Sequence, residues 1–328
     1  MRREATGKGE GQKTEQGRRG LPPHASRPTP LIVIVGPTAA GKTEAGIQVA
    51  LRVGGEVISA DSRQVYRGMD IGTAKPSRED RERVPHHLID VVGPEERYNA
   101  GRFSREAQAA IDDIVERGRC PVVVGGCGFY VRALLDGFSP TPEVGPEARA
   151  RIRAEAVGVA TGSLHARLER ADPVCAGRIS PSDRQRILRA LEVFEETGEP
   201  LSSWQARPRE GGYSGGAVIV ALRWDRETLY RRIEERTDRM FEDGLVEEVA
   251  GLRRLGYLPE GTALGTFGYR EVFDHLEGRS SLEETRLAVQ RETRRYAKRQ
   301  MTWFRGEPRV RWLEGTAPDL MERILDFQ

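Results

Sequence analysis

The chain has 328 residues, which is enough for two domains of roughly 150 residues each. With 38 % hydrophobic and 31 % charged residues, and no apolar run near the roughly 18 residues of a membrane span, the sequence excludes an integral membrane protein. Residues 1–30 hold seven Lys/Arg and three Asp/Glu, so their net charge of +4 leaves −2 for the rest of the chain, whose total is +2. A polyanionic partner must therefore be met by local clusters of positive charge.

The predicted elements alternate between strands and helices. The continuous apolar run Leu31–Val35 is typical of a strand buried on both faces. Further strands are predicted at Glu56–Ala60, Leu88–Val92, Pro121–Val124, Ala217–Arg223 and Val310–Leu313. Helical periodicity lies between them and is clearest over residues 103–115. This order predicts an α/β fold whose sheet is mostly parallel and flanked by helices.

Composition divides the chain into four parts. Residues 1–30 are rich in Gly, Arg, Glu and Pro and have almost no large apolar side chains, so we expect a disordered tail. Residues 31–138 form the first part of a core and residues 206–328 its second part, which ends in basic helices. Between them, residues 139–205 carry only helical patterns, at Ala148–Val157, Ser163–Ala171 and Asp183–Glu196. This stretch is predicted to be a helical insertion.

Cysteine usage and the N-terminal sequence predict the location of the protein. Cys120, Cys127 and Cys175 show no CxxC spacing, which disfavours a disulfide framework and a structural zinc site. The N-terminus has no apolar stretch typical of a signal peptide. We therefore expect a cytoplasmic protein that does not associate with a membrane.

A phosphate-binding motif follows the first strand. The pattern GxxxxGK[ST] is matched by Gly36, Pro37, Thr38, Ala39, Ala40, Gly41, Lys42 and Thr43. Glycines let backbone N–H groups turn inward around phosphate oxygens, and the following helix adds the positive end of its dipole. The Lys42 side chain supplies a mobile charge, and the Thr43 hydroxyl can hold Mg²⁺. The core is therefore predicted to be a P-loop core.

One carboxylate is predicted to face this loop. NTP hydrolases of the P-loop type place an acidic residue at the end of a later strand, but Pro121–Val124 runs into a sequence without Asp or Glu. The loop is therefore suited to a diphosphate that leaves. Asp61 follows the second predicted strand and should border the same crevice, since strand carboxyl ends meet there. A simple turn or helix-capping aspartate remains the other interpretation of Asp61.

Positive charge is concentrated near the end of the sequence. Residues 286–311, called the basic segment below, hold nine Lys/Arg against Glu292 and Glu307. The nine are Arg286, Arg291, Arg294, Arg295, Lys298, Arg299, Arg305, Arg309 and Arg311. Such a cluster suits the phosphates of a nucleic acid.

Several motifs together resemble one family, the tRNA dimethylallyltransferases (tRNA isopentenyl-diphosphate transferases). After GPTAAGKT come SADSRQVYRGMDIGTAKP at 59–76, PHHLIDVV at 85–92 and VVVGGCGFY at 122–130. Further along are DRQRILRALEV at 183–193, FGYRE at 267–271 and RRYAKRQMTWFR at 294–305. The stretches at 59–76 and at 294–305 are highly specific.

The resemblance implies a reaction and its partners. A dimethylallyl group would pass from dimethylallyl diphosphate to the exocyclic amino nitrogen of the adenine just 3′ of the anticodon, in tRNAs that read codons beginning with U. Diphosphate would be released. The resemblance also implies that the helical insertion grips the tRNA anticodon stem-loop. We expect a monomer that uses Mg²⁺.

The chemistry assigns roles to three residues. Charge builds on the diphosphate as the allylic C–O bond breaks, so the loop, Lys42 and Mg²⁺ on Thr43 are expected to stabilise it. The family resemblance adds Arg236 to this group. The adenine amino group is a poor nucleophile, and Asp61 is the candidate base that accepts its proton.

The tRNA contacts are expected at residues on several elements. The resemblance implies Asp61, Ser62, Arg63, Gln64, Cys127, Arg149, Gln185, Arg186, Ile187, Leu188, Arg189, Gly265, Tyr269, Arg270, Arg294, Lys298 and Arg299. Cys127 stands where relatives carry Thr. Most aromatic residues in the motifs, including Tyr269, Trp303 and Phe304, are expected to be core residues rather than stacking platforms.

Two other functions compete with this reading. A small-molecule kinase would explain the P-loop core but would leave the insertion and the basic segment without a use. A non-catalytic tRNA-binding protein with a relic phosphate loop predicts no loss of tRNA binding and no lost product when Lys42 becomes Ala.

Overall fold

A six-stranded parallel sheet forms the centre of the molecule. The computed structural model describes residues 31–327, so the predicted disordered tail at 1–30 lies outside the described residues. The strands are β1 Leu31–Val35, β2 Gly55–Ser59, β3 His86–His87, β4 Cys120–Val124, β5 Ala217–Arg223 and β6 Val310–Glu314. They lie in the order β3-β2-β4-β1-β5-β6, and every pair is parallel. The predicted α/β fold is confirmed.

Helices cover both faces of this sheet. They are α1 Lys42–Val53, α2 Arg78–Arg83, α3 Ala100–Glu116, α4 Gly128–Asp136, α5 Pro146–Ala156, α6 Thr161–Ala171, α7 Pro173–Ala176, α8 Arg184–Thr197, α9 Leu201–Ala206, α10 Arg226–Glu242, α11 Leu245–Arg254, α12 Tyr269–Leu276, α13 Leu282–Arg305 and α14 Leu320–Leu325. Alternate residues of β1 point to opposite faces. Leu31, Val33 and Val35 pack in a core with α3 and α4, while Ile32 and Ile34 pack in a core with α1 and α14.

The third predicted strand is wrong. Instead of Leu88–Val92, the edge strand is the short β3, which pairs with β2. Leu88 and Asp90 have φ values of 61° and 58°, in the left-handed region, so the chain turns out of the sheet there. Asp90 then accepts a hydrogen bond from Lys75 Nζ at 2.5 Å and pairs with Arg81 at 2.9 Å. Only a single bridge, between Val92 and Tyr66, continues the strand-like pairing.

Helices α5–α9 occupy the stretch of the predicted insertion. They have a hydrophobic core of their own, built on residues such as Ile152, Leu168 and Leu191. Arg184 at the start of α8 donates to the carbonyl oxygens of Ala156 and Val159, which ties α8 to the end of α5. This arginine therefore has a structural role within the helices α5–α8.

The four helices α10–α13 lie beside the carboxyl ends of the strands. One carboxylate of α11, Glu248, accepts hydrogen bonds from the backbone amides of Asp70, Ile71 and Gly72 at 2.9, 2.8 and 3.2 Å. Glu248 also accepts a 2.6 Å hydrogen bond from the Tyr269 hydroxyl. These contacts fix the loop after β2 against the C-terminal helices. Within residues 31–327, no helix combines the length and apolar character needed to cross a bilayer.

Candidate active site

The phosphate loop has the backbone that its motif requires. Gly36 has φ 139°, and a Cβ there would lie 2.9 Å from the Leu222 carbonyl oxygen, so only glycine fits between β1 and β5. Gly41 caps α1 with φ 88°, and the helix begins at Lys42. The loop therefore presents its amides and the positive end of α1 to one space.

Lys42 folds back over this loop. Its Nζ donates a 2.7 Å hydrogen bond to the Pro37 carbonyl oxygen. Burial, and then the positive charge of Arg236, lower the pKa of Lys42 to about 7. An anion at this point would favour the charged form and raise that pKa again.

Helix α10 supplies two arginines to the loop. Arg232 Nε donates to the Ala39 carbonyl oxygen at 2.8 Å, and its guanidinium stacks on Trp224, which itself donates to Ala40. Arg236 donates to the Thr38 hydroxyl at 3.2 Å. Burial, followed by the nearby Arg63, lowers the pKa of Arg236 to about 10. Arg63, Lys42 and Arg236 are thus crowded cations, an arrangement suited to a multiply charged anion.

A glutamine of α13 joins the loop to the opposite wall. Gln300 Oε1 accepts the amide hydrogen of Thr38 at 2.8 Å, and Gln300 Nε2 donates to the Gly126 carbonyl oxygen at 2.9 Å. Gln300 is 5 % exposed. This role of Gln300 has no signal in the sequence, because no local pattern links residues 262 positions apart.

Asp61 lies in the same crevice as Lys42, Thr43 and Arg236. It follows β2, and its Oδ1 accepts the Arg63 amide hydrogen at 2.9 Å. Asp61 therefore does make the turn contact of the simpler interpretation, while the carboxylate still lines the crevice. The turn contact and the position in the crevice therefore do not exclude each other.

Cys127 lies next to this carboxylate, three residues after β4 and directly before α4. Its amide donates to the Ala60 carbonyl oxygen at 3.2 Å, one residue before Asp61. Burial, and to a lesser degree the charge of Asp61, raise the pKa of the Cys127 thiol to about 11. The thiol is therefore protonated near neutral pH, which does not suit a nucleophile.

Some of the expected tRNA contacts have structural partners instead. Gln64 accepts from the Ser59 hydroxyl at 3.0 Å and donates to Ala74 at 3.1 Å. The side chains of Ile187 and Tyr269 are fully buried, and Leu188 packs against the core of the insertion. The side chains of Gln64, Ile187, Leu188 and Tyr269 thus have partners inside the fold, and their expected contacts with tRNA stay predictions.

Other candidates lie away from the crevice. Gln185 and Arg186 are exposed on α8, while Arg149 and Arg189 are partly buried near Glu192 of the insertion. Gly265 and Arg270 lie before and in α12, where Arg270 pairs with Glu271 at 3.2 Å. The structure brings together Asp61, Lys42, Thr43 and Arg236, but the crevice is not lined by these residues of the insertion and α12.

The basic segment contains two kinds of cation. Carboxylates lie within 4.0 Å of five of them: Arg286, Arg291, Arg294, Arg295 and Arg309. Arg294 pairs with Glu234 at 2.6 Å. Across residues 31–327, Lys298, Arg299, Arg305 and Arg311 have no carboxylate within that distance. Lys298, Arg299 and Arg305 are exposed.

The described residues contain no cluster of three or more His, Cys, Asp or Glu side chains that could hold a metal ion by themselves. A Mg²⁺ ion bound to a diphosphate needs only one or two protein oxygens, because phosphate oxygens and water complete its octahedron. The Thr43 hydroxyl, which lines the crevice at the start of α1, fits this requirement.

Family models and known proteins resemble this chain along most of its length. A family model described as IPP transferase matches residues 64–307, and one described as isopentenyl transferase matches residues 29–90. A tRNA dimethylallyltransferase of Geobacter sulfurreducens is 48 % identical over 290 residues, which cover 88 % of this chain and 93 % of that protein. A tRNA dimethylallyltransferase of Symbiobacterium thermophilum is 48 % identical over 299 residues, with 90 % and 93 % covered.

Solved structures give the same result. The tRNA isopentenylpyrophosphate transferase of Bacillus halodurans is 39 % identical with a TM-score of 0.65, covering 91 % of this chain and 94 % of that one. A eukaryotic dimethylallyltransferase acting on tRNA is 29 % identical with a TM-score of 0.72, covering 87 % and 74 %.

Proposed function

Because this chain belongs to the tRNA dimethylallyltransferase family, we propose that its donor is dimethylallyl diphosphate and that the acceptor is the adenine 3′-adjacent to the anticodon. The enzyme is a prenyltransferase that acts on tRNA. In this proposal the exocyclic amino nitrogen is modified in tRNAs that read codons beginning with U. The observation that carries it is the single crevice shared by Asp61, Lys42, Thr43 and Arg236.

The phosphate loop binds the diphosphate of the donor. Its backbone amides, Lys42 and Arg236 surround the space in which negative charge increases as the allylic C–O bond breaks. These groups stabilise the leaving diphosphate more strongly than the intact ester, so they lower the barrier. Gln300 holds Thr38 in place and joins the loop to Gly126.

A divalent metal ion is used by enzymes of this family. We assign Mg²⁺ to this chain, with the Thr43 hydroxyl as its protein ligand. When bound, Mg²⁺ neutralises charge on the diphosphate. The remaining charge is met by Lys42, whose pKa recovers when an anion enters.

Asp61 acts on the acceptor side as the general base. The adenine leaves its stack to enter the crevice, at a cost of a few kcal/mol. Asp61 then accepts the proton of the amino group as the new C–N bond forms. The amide of Arg63 holds one oxygen of Asp61, which leaves the other oxygen for the substrate.

The helical insertion, residues 139–205, is proposed to hold the anticodon stem-loop through Arg149, Gln185, Arg186 and Arg189. Their exposed or partly buried positions on α5 and α8 support this. We further propose a monomer that works in the cytoplasm. Sedimentation of the purified chain with and without tRNA tests the monomer.

The reaction is tested by incubating the protein with dimethylallyl diphosphate, Mg²⁺ and tRNA, followed by mass analysis of nucleosides. We expect one adenosine to gain the mass of a dimethylallyl group in place of hydrogen. A tRNA with guanosine at the acceptor position is the matched control. Absence of product with the wild-type protein contradicts the proposal.

The same preparation separates the alternatives. A kinase transfers labelled γ-phosphate from ATP to a small molecule, whereas this protein should transfer none. The kinase is disfavoured by the sequence after β4, which has no Asp or Glu, and by the comparisons. A non-catalytic tRNA-binding protein would lose neither binding nor product with Lys42→Ala, since it forms no product.

A further inference from the structure

Two aromatic rings are exposed where α4 meets α13. Phe129 is 54 % exposed and Trp303 is 38 % exposed, although both are large apolar side chains. Their ring centroids lie 6.4 Å apart with an edge-to-face angle of 81°. We call this pair the aromatic corner. Its exposure contradicts the expectation that Trp303 is a core residue, and an exposed pair of this kind calls for a partner.

Two contacts place the aromatic corner at the rim of the acceptor side. The indole of Trp303 lies against Gly128, where a Cβ would be 2.0 Å from Trp303 Cδ1. Gly128 directly follows Cys127, the neighbour of Asp61. On α13, Gln300 comes one turn before Trp303 and reaches Gly126. The corner therefore packs on the segment that directly follows the crevice-lining Gly125.

Positive charge lies on the same part of α13. Arg299 is one helical turn before Trp303, so the two side chains share a face. Lys298 and Arg305 are exposed on the same two turns. None of these three cations has a carboxylate within 4.0 Å in the part of the chain that the structure describes, whereas most of the basic segment is neutralised internally. Rings beside unpaired cations match the bases and phosphates of single-stranded RNA.

We propose that the aromatic corner stacks on an unpaired anticodon-loop base that neighbours the acceptor adenine, while Lys298, Arg299 and Arg305 meet phosphates of that strand. Moving the adenine out of its stack exposes the face of its neighbour. An aromatic side chain at the rim covers that face and restores part of the lost stacking. This inference rests on the proposed function for the position of the adenine, and it adds a binding residue that the phosphate-loop chemistry does not need.

The test uses anticodon stem-loop RNA in which 2-aminopurine replaces one unpaired loop base at a time. Its fluorescence falls when it stacks. In complexes with Trp303→Ala we expect brighter emission than with wild type at one position flanking the adenine. Trp303→Ala should weaken stem-loop binding by about 5- to 150-fold, the range of base–aromatic stacking. Trp303→Phe should restore most of the affinity, and Phe129→Ala should cause a smaller loss.

The matched control is Leu255→Ala, which removes an exposed apolar side chain, 75 % exposed, at the end of α11. It should leave binding and emission unchanged. If Trp303→Ala unfolds the protein, the binding of stem-loop RNA by Trp303→Phe and Trp303→Leu is compared instead. Both side chains fill the space on Gly128, but only that of Phe can stack on a base. Equal binding by Phe and Leu variants overturns the proposal.

The outcome is separable from that of the proposed function. Product from the wild-type protein, together with emission that is identical in all variants, rejects the aromatic corner alone. Emission changes without any product from the wild-type protein reject the proposed reaction but retain the corner. With Trp303→Ala, KM for the stem-loop should rise more than kcat falls, because the ring binds RNA and does not touch the reacting atoms.

Discussion

The amide of Thr38 donates a 2.8 Å hydrogen bond to Gln300 Oε1, across 262 positions of the sequence. Through Gly126, the same side chain contacts the wall on the other side of the crevice. The phosphate loop is therefore shaped in part by α13, the helix that also carries the unpaired Lys298, Arg299 and Arg305. The buried side-chain amide of Gln300 therefore contacts both the donor side and the acceptor side of the site.

Replacing this amide should damage the donor side. Gln300→Ala removes both hydrogen bonds and leaves the Thr38 amide and Gly126 carbonyl without partners, at a cost of about 1–3 kcal/mol each when buried. We expect a higher KM for dimethylallyl diphosphate and a lower melting temperature. Gln300→Glu keeps the acceptor for Thr38 but places a carboxylate against Gly126. If both variants have wild-type KM values, the bridge does not shape the loop.

Asp61→Asn should separate binding from chemistry. Asparagine keeps the oxygen that accepts the Arg63 amide, so the turn survives while the base is lost. We expect kcat to fall by about 10²- to 10⁴-fold, and the tRNA dissociation constant to stay within several-fold. Single-turnover product formation and filter binding measure the two quantities. Asp112→Asn, on the exposed face of α3, is the control. Near wild-type turnover of Asp61→Asn would remove this residue as the base.

Diphosphate affinity should depend on the titration of Lys42. Because its pKa is lowered to about 7, the charged form is lost as the pH rises above 7 in the free protein. We expect pyrophosphate binding to weaken above about pH 7, by up to about tenfold per pH unit. Calorimetry from pH 6 to 9 measures this. Lys42→Met should bind pyrophosphate weakly at every pH. Because pyrophosphate itself also titrates in this range, the pH profile of Lys42→Met serves as the baseline with which the wild-type profile is compared. Parallel profiles for both proteins would contradict the assignment.

The same residue has an effect on stability with a definite sign. In the unfolded chain Lys42 keeps its ordinary pKa of 10.5, so between about pH 7 and 10.5 the unfolded state binds more protons. The contribution of Lys42 to stability therefore rises with pH across that window. Lys42→Met should leave the melting temperature at pH 7 unchanged or raised, because it removes a buried cation that has no bound anion in the free protein.

The cations of the basic segment should differ in how much each contributes to the salt dependence of RNA binding. Lys298→Ala should reduce the slope of log K against log salt by roughly 0.7–0.9, as expected for one lost phosphate contact. Arg294→Ala should change the slope less, because Arg294 is paired with Glu234 at 2.6 Å. Fluorescence anisotropy of a labelled stem-loop at several salt concentrations gives both slopes. Equal reductions would show that Arg294 leaves Glu234 when RNA binds.

Cys127→Thr tests the departure from the family. The buried thiol, with its pKa raised to about 11, is a weak hydrogen-bond partner and a slow nucleophile at pH 8. We expect full activity, or a gain in tRNA use of about 1 kcal/mol from the hydroxyl. Iodoacetamide should inactivate the wild type slowly and spare the Thr variant. Loss of turnover in Cys127→Thr while tRNA still binds would give the thiol a chemical role.

The sequence predicted most of the sheet, since five of its six strands lie where local strand patterns predict them. The strand expected at Leu88–Val92 failed because left-handed backbone at Leu88 and Asp90 leaves no mark in an apolar pattern. The phosphate loop, with Lys42 and Thr43, could also be predicted, because its motif lies within eight consecutive residues. Glu248, Gln300 and Arg232 were not, because their partners lie far away in the sequence.

Strand β1 lies between β4 and β5, and its first pair with β5 joins Leu31 to Ala217, 186 positions later. At roughly 5–20 residues per second, a ribosome needs about 10–40 s to make the intervening chain. During that interval one edge of the strand that carries the phosphate loop has no partner, which is a condition that favours aggregation. Helices α5–α9 are synthesised within the same interval. This edge of β1 is covered only after residue 217 has emerged and β5 has paired with it.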